Sequence, residues 1–128
     1  MTTAERLRAF VKLLVSEERY QDDEGCWSFR SGGSCGVCTD SAIKIVRHFG
    51  GKVVGYNCSS NPRAAIGKQF CEGHDFAVID ERFLVDYWAL RVISLITDPV
   101  FDLARDRDRR EASRLYGNPN TWEQVALD

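Results

Sequence analysis

The chain has 128 residues, 44% of them hydrophobic, and its 17 basic and 19 acidic side chains nearly cancel to a formal charge of −2. This length supports one hydrophobic core, so we expect a single domain over residues 1–128. A nearly neutral chain has no long-range attraction for nucleic acid or for an anionic membrane, and we expect neither as a partner.

The first 15 residues lack the basic start, apolar core and cleavage site of a secretory leader, and no apolar run is long enough to span a membrane. Five cysteines form an odd set without the regular spacing of a disulfide scaffold, which favours a reducing compartment. We therefore expect a protein that is cytoplasmic as synthesised. Delivery to another cell by a route that needs no cleavable leader is an open alternative.

The N-terminal segment predicts a helix over residues 3–18. Thr2 and Glu5 have the spacing of a capping box. The apolar residues that follow recur at helical spacing: Leu7, Phe10, Val11 and Leu14. Residues 21–36 are polar and rich in glycine, and we interpret them as a long loop.

A second amphipathic helix follows this loop and ends at Gly50-Gly51. Its apolar positions are Ala42, Ile45, Val46 and Phe49. Cys38 lies one turn ahead of Ala42, in the first turn and on the buried side of this helix. The sequence therefore predicts a cysteine at a helix N-terminus directly after a glycine-rich loop.

The remaining elements are predicted as a small antiparallel sheet and two C-terminal helices. Strands are expected at residues 52–56, 74–79, 83–88 and 89–96, and the connection at 57–73 is expected to hold one helical turn near 64–70. Asp98 and Pro99 favour the start of a helix that runs to Gly117. A last helix over 121–127 is expected to return Trp122 and Val125 to the core.

Cys38 is the residue that we interpret as a nucleophile. A thiol reacts as its thiolate, and the unpaired N–H groups and positive dipole end of a first helical turn stabilise an anion there. The same N–H groups can receive the oxyanion that forms when a carbonyl is attacked. A base is also needed to take the proton of the thiol.

His74 and Asp86 are the partners that the hairpin register favours. A turn at residues 80–82 pairs Ile79 with Phe83, and continuing that register puts His74 and Asp86 on one face as diagonal neighbours. Asp75 points to the opposite face. The only other histidine, His48, lies several turns away from Cys38 on the same helix.

At these residues the chain resembles the papain-like and transglutaminase-like superfamily of cysteine enzymes. Residues 33–38 read GSCGVC, similar to the papain-type segment whose second cysteine is the nucleophile, and residues 36–42 read GVCTDSA, similar to the transglutaminase-like pattern G-x-C-x-D-x-A. GHDFAVI at 73–79 and FLVD at 83–86 resemble the histidine and acid strands in the order Cys, His, Asp.

This resemblance covers residues 34–88, and it implies an α+β, papain-like or transglutaminase-like core with N-terminal helices packed on a small antiparallel sheet. It also implies acyl transfer through a thioester at an amide of a protein or peptide, glutamine included, without a cofactor. Protease, deamidase and transglutaminase remain alternatives, and small bacterial members are often toxins or effectors. The residues assigned to substrate binding are Trp27, Gly36, Val37 and Trp88.

Three positions depart from the superfamily pattern. Thr39 replaces the aromatic residue that follows the papain-type nucleophile, Gly32 stands where a glutamine would complete the oxyanion hole, and Phe76 occupies the position of the usual aromatic residue two places after His74. The second oxyanion donor is therefore unassigned, with residues 27–30 as its expected source.

A zinc site is the competing interpretation. Cys35 and Cys38 form a C-x2-C pair and Cys71 and His74 form a C-x2-H pair, which together supply the ligands of a structural Cys3His site in a non-catalytic binding domain. A globular domain with incidental cysteines is a third alternative. The alternating charges of residues 105–110 are typical of a solvated helix face.

Overall fold

A computed structural model of the protein describes residues 1–21, 27–29, 37–56, 61–66, 74–91 and 94–127. These residues form a mixed fold of helices and an antiparallel sheet, which confirms the predicted α+β class. In chain order the elements are α1 (Thr3–Glu17), β1 (Glu18–Gln21), β2 (Trp27–Phe29), α2 (Val37–Phe49), β3 (Lys52–Tyr56), β4 (His74–Ile79), β5 (Phe83–Val85), α3 (Tyr87–Arg91), β6 (Val100–Asp102), α4 (Asp106–Tyr116), a 3₁₀ turn (Pro119–Thr121) and β7 (Glu123–Gln124).

The main sheet has five strands in the order β6-β5-β4-β3-β7, and every pair is antiparallel. Successive residues of a strand point to opposite sides of the sheet, and both faces of this sheet are covered. Ala77 and Ile79 of β4 pack with α1 and α2, whereas Phe76 and Val78 pack with α4. The central strand β4 is therefore buried on both faces.

The start of α1 follows the predicted capping box. The Thr2 hydroxyl accepts a hydrogen bond from the Glu5 main-chain N–H at 3.2 Å and donates to the Glu5 carboxylate at 3.1 Å. These bonds satisfy a donor that the helix itself leaves unpaired. The predicted helix is confirmed, and it ends one residue earlier than expected.

The predicted hairpin register is confirmed. Ile79 pairs with Phe83, and the ladder continues through Val78 with Leu84 to Ala77 with Val85. The turn between them is closed by the Arg82 N–H, which donates to the Ile79 carbonyl at 3.0 Å. Pairing with β4 stops at Val85, so Asp86 lies one residue beyond the ladder. Its side chain still points to the face that the register predicts.

Two strand predictions in this region were wrong. The strand expected at 83–88 ends at Val85, and the strand expected at 89–96 is replaced at its start by helix α3. The Asp86 Oδ1 atom accepts from the Ala89 N–H at 3.1 Å, which is the hydrogen bond of an N-cap. This cap turns the chain out of the sheet where apolar alternation alone predicted that it would continue.

The C-terminal helix predictions also needed correction. The helix expected from Pro99 begins at Asp106, because Val100–Asp102 pairs with β5 as the edge strand β6. It ends at Gly117 as predicted. The helix expected over 121–127 is instead a 3₁₀ turn and the strand β7, although Trp122 and Val125 pack against the core as expected.

The loop expected at residues 21–36 contains the short strand β2, which pairs with β1 in a separate two-stranded sheet. Residues 22–26 and 30–36 of that loop lie outside the described residues, as does most of the helical turn expected near 64–70. None of the helices in the described ranges is both long enough and apolar enough to cross a membrane.

The glycine pair after α2 provides a test of this packing. Gly50 and Gly51 both have positive φ, at 83° and 91°. A Cβ at Gly50 would meet nothing within 4 Å, whereas a Cβ at Gly51 would lie 2.5 Å from the Val78 carbonyl oxygen. Gly50→Ala therefore carries only the backbone penalty of about 1–2 kcal/mol, and Gly51→Ala adds a clash with β4.

We expect Gly51→Ala to lower the free energy of unfolding by at least about 2 kcal/mol more than Gly50→Ala, measured by urea denaturation. Equal losses in the two variants would contradict the close approach of residue 51 to β4.

Candidate active site

A buried ion pair lies at the end of β4. His74 is the first residue of that strand, and Asp86 follows the last residue of β5. The His74 Nε2 atom lies 2.6 Å from Asp86 Oδ2, and the two side chains are each only 2% exposed. The structure therefore brings together the two residues that the hairpin register places on one face.

Asp86 is held by hydrogen bonds on both carboxylate oxygens. Oδ1 caps α3 through Ala89, and Oδ2 accepts from His74 and also from the Tyr116 hydroxyl at 2.8 Å. Its main-chain N–H donates to the Pro99 carbonyl at 2.9 Å. A carboxylate with this many donors is fixed in orientation and compensated for its loss of water.

Cys38 is the second residue of α2, within the first turn, and is partly buried. Burial raises the pKa of its thiol, but the hydrogen bond and charge of His74 and the Asp75 main-chain N–H outweigh this effect, so that the pKa falls below its usual value. The Thr39 hydroxyl, 3.8 Å from the sulfur, contributes in the same direction.

The pKa of His74 shifts in the opposite direction, upward. Burial of the ring disfavours its charged form, but the Asp86 carboxylate and the hydrogen bond to Cys38 raise the pKa of His74 to about 10. Because Asp86 occupies Nε2, the Nδ1 atom is left to meet the thiol. A raised histidine pKa beside a lowered cysteine pKa shifts the balance toward the thiolate–imidazolium pair.

Among the described residues, three aromatic rings surround the imidazole. Trp88 is the nearest, with ring centroids 4.8 Å apart, followed by Phe76 at 5.9 Å and Tyr116 at 6.0 Å. Of the residues assigned to substrate binding, Trp88 thus lies directly against the histidine. The rings limit access of water to the ion pair and strengthen its electrostatic interaction.

Asp75 points toward α2 and away from the imidazole. Its Oδ2 atom accepts from the Thr39 hydroxyl at 2.8 Å. Its Oδ1 atom would lie 2.1 Å from a Cβ at residue 55, so Gly55 makes room for the carboxylate on the neighbouring strand. A cleft of about 240 Å³ opens beside Asp75, lined by Gly55, Tyr56 and the segment around residues 121–125.

The other predicted site residues are placed only in part. Trp27 lies in β2 and Val37 is the first residue of α2, whereas Gly36, Cys35 and Cys71 lie outside the described residues. The zinc alternative depends on those two cysteines and stays a prediction. Within the described ranges, no three His, Cys, Asp or Glu side chains are grouped so as to hold a metal ion.

Tyr116 is a member of the site that sequence reasoning missed. It is the last residue of α4 and lies 30 residues beyond Asp86, and no local pattern connects the two. The only signal was a tyrosine at the end of an amphipathic helix, since a buried tyrosine hydroxyl usually finds a hydrogen-bond partner.

Comparison of the chain with protein-family models, curated proteins and solved structures finds no match.

The thiolate–imidazolium pair predicts an unusual pH dependence of stability. Ordinary pKa values are 6.5 for histidine and 9.0 for cysteine. At a pH between these values the two side chains of the unfolded protein together hold one proton, on the cysteine. Above the lowered pKa of Cys38 the folded pair also holds one proton, on His74. From there up to pH 9 the pair does not change the free energy of unfolding with pH, because the folded and unfolded states bind equal numbers of protons.

Cys38→Ser removes this compensation. Its folded state keeps the His74 proton that its unfolded state loses above pH 6.5, so stability falls with pH by up to about 1.4 kcal/mol per unit. We expect the free energies of unfolding of the two proteins, measured by urea denaturation at each pH, to change in parallel at first. Above the pKa of Cys38 they should diverge, with the wild type depending less on pH. Parallel behaviour up to pH 9 would contradict the thiolate–imidazolium pair.

Proposed function

We propose that this protein is a cysteine-dependent acyl-transfer enzyme that acts on an amide. Cys38 is the nucleophile, His74 is the base and general acid, and Asp86 orients the imidazole. The observation that supports this function best is the buried 2.6 Å contact between His74 and Asp86. The other ring nitrogen of His74 is available to the Cys38 thiol in the first turn of a helix.

In the first half of the reaction the Cys38 thiolate attacks the carbonyl carbon of the amide, and a carbon–sulfur bond forms. The oxyanion accepts a hydrogen bond from main-chain N–H groups in the first turn of α2, which have no partner within the helix. The His74 imidazolium gives its Nδ1 proton to the leaving nitrogen. The carbon–nitrogen bond then breaks, leaving a thioester on Cys38 and a neutral imidazole.

In the second half a water molecule or an amine attacks the thioester, and neutral His74 takes its proton. The carbon–sulfur bond breaks, and the thiolate–imidazolium pair is restored. Asp86 keeps Nε2 occupied in both halves, so Nδ1 always faces the reacting atoms. Water as the second nucleophile gives hydrolysis or deamidation, and an amine gives transamidation.

Within this proposal we assign the core to the papain-like or transglutaminase-like class. The assignment is supported by the cysteine helix α2 lying on one face of an antiparallel sheet, with the histidine at the start of one strand and the acid after the next. A toxin or effector role against another cell follows only from analogy with that class.

The proposal predicts selective alkylation of Cys38. An ordinary thiol is only a few per cent ionised at neutral pH, so we expect iodoacetamide to modify Cys38 roughly tenfold faster than the other four cysteines, as measured by peptide mass spectrometry. His74→Ala should abolish this preference. His48→Ala is the matched control, because His48 is exposed on the same helix and stacks on Phe10 instead.

Equal labelling of all five cysteines in the wild type would overturn the assignment of the nucleophile. Protection of Cys38 together with one zinc per chain by elemental analysis would favour the zinc site instead.

A further inference from the structure

Tyr116 contacts the candidate triad from the side of the sheet opposite α2. Its hydroxyl donates to Asp86 Oδ2, the same oxygen that receives His74 Nε2, at 2.8 Å and 2.6 Å respectively. The Tyr116 side chain is fully buried. One carboxylate oxygen therefore serves two donors, of which only the imidazole takes part in the proposed proton transfers.

The position of the Tyr116 ring is fixed independently of its hydroxyl. Phe76 and Phe101 pack against the ring, with centroids 4.7 Å and 6.0 Å away. The Tyr116 carbonyl accepts from the Trp122 indole N–H at 2.9 Å, and α4 ends there because Gly117 follows with a φ of 80°. A hydroxyl held this rigidly acts as a preorganised donor.

Two donors on one oxygen weaken each other, because each draws on the same negative charge. The structure assigns Tyr116 as a positioning residue of the Cys38–His74–Asp86 triad, whose hydroxyl fixes the Asp86 carboxylate and moderates its hydrogen bond to the imidazole. This inference rests on the proposed function and adds a fourth member to the site. Its consequence is an imidazole that is held in place yet can still release its proton.

The groups that face His74 are consistent with this role. Cys38 of α2 and Asp86 contact the ring, and Trp88 of α3 and Phe76 of β4 are uncharged. Burial and the charge of Asp86 raise the pKa of Tyr116 well above its usual value, so the hydroxyl stays protonated and remains a donor.

The test is nuclear magnetic resonance of the full chain labelled with ¹⁵N-histidine. The protein has two histidines, and exposed His48 serves as an internal reference. Tyr116→Phe removes the competing donor and keeps the ring, so we expect the His74 Hε2 resonance to move downfield. Phe101→Leu is the matched control, because it removes packing on the ring without touching the hydroxyl, and we expect no shift of Hε2.

Incorporation of 3-fluorotyrosine at residue 116 provides a second arm that preserves the fold. Fluorine beside the hydroxyl makes it a stronger donor, so the Hε2 resonance should move upfield. An unchanged resonance in both altered proteins, or an equal shift in Phe101→Leu, would overturn the inference. This readout does not require turnover, so it is decided separately from the proposed reaction.

A kinetic measurement with p-nitrophenyl acetate, an activated ester, tests the functional consequence. A more tightly held imidazolium is neutral less often, and only neutral His74 can take a proton from water. We expect Tyr116→Phe to keep the burst of p-nitrophenol and to slow the following hydrolysis by about fivefold. Equal slowing of both phases would contradict the moderating role. Absence of a burst in the wild type would speak against the proposed reaction itself.

Discussion

The buried contact between His74 and Asp86 is the interaction on which the rest of this structure depends. Removing two charged groups from water is costly, and the cost is recovered only where the geometry is good and every remaining acceptor is satisfied. Here Asp86 meets that condition with donors from β4, α3 and α4. The pair consequently ties together the start of β4, the start of α3 and the end of α4.

Parts of this arrangement could be predicted from the sequence because they depend on parity. A turn of fixed length sets the register of a hairpin, and register alone decides which side chains share a face. That reasoning placed His74 and Asp86 together, and the ladder from Ile79 with Phe83 to Ala77 with Val85 has the predicted register. The helix around Cys38 was predictable for a similar reason, since its apolar positions follow one period up to Gly50.

Other parts were missed because a second signal outweighs the pattern on which the prediction was based. The residues after Val85 continue an apolar run, but the Asp86 side chain caps a helix there by accepting from the Ala89 N–H three residues later. Likewise Asp98 and Pro99 carry a helix-start signal, but pairing of Val100 with Val85 draws the segment into the sheet edge. At α3 a local cap prevails over β-propensity, and at β6 a tertiary strand pairing prevails over a local helix-start signal.

The two faces of the sheet explain how a thiol on one side reaches an ion pair on the other. His74 packs with Phe76 and Tyr116 on the face covered by α4, whereas α2 packs on the opposite face. Cys38 therefore meets the imidazole around the end of β4, where the Asp75 main-chain N–H also reaches the sulfur. The nucleophile depends on α2, and its base depends on the packing of α4 through Tyr116. Displacement of α4 would therefore change the reactivity of the thiol without moving the helix that carries it.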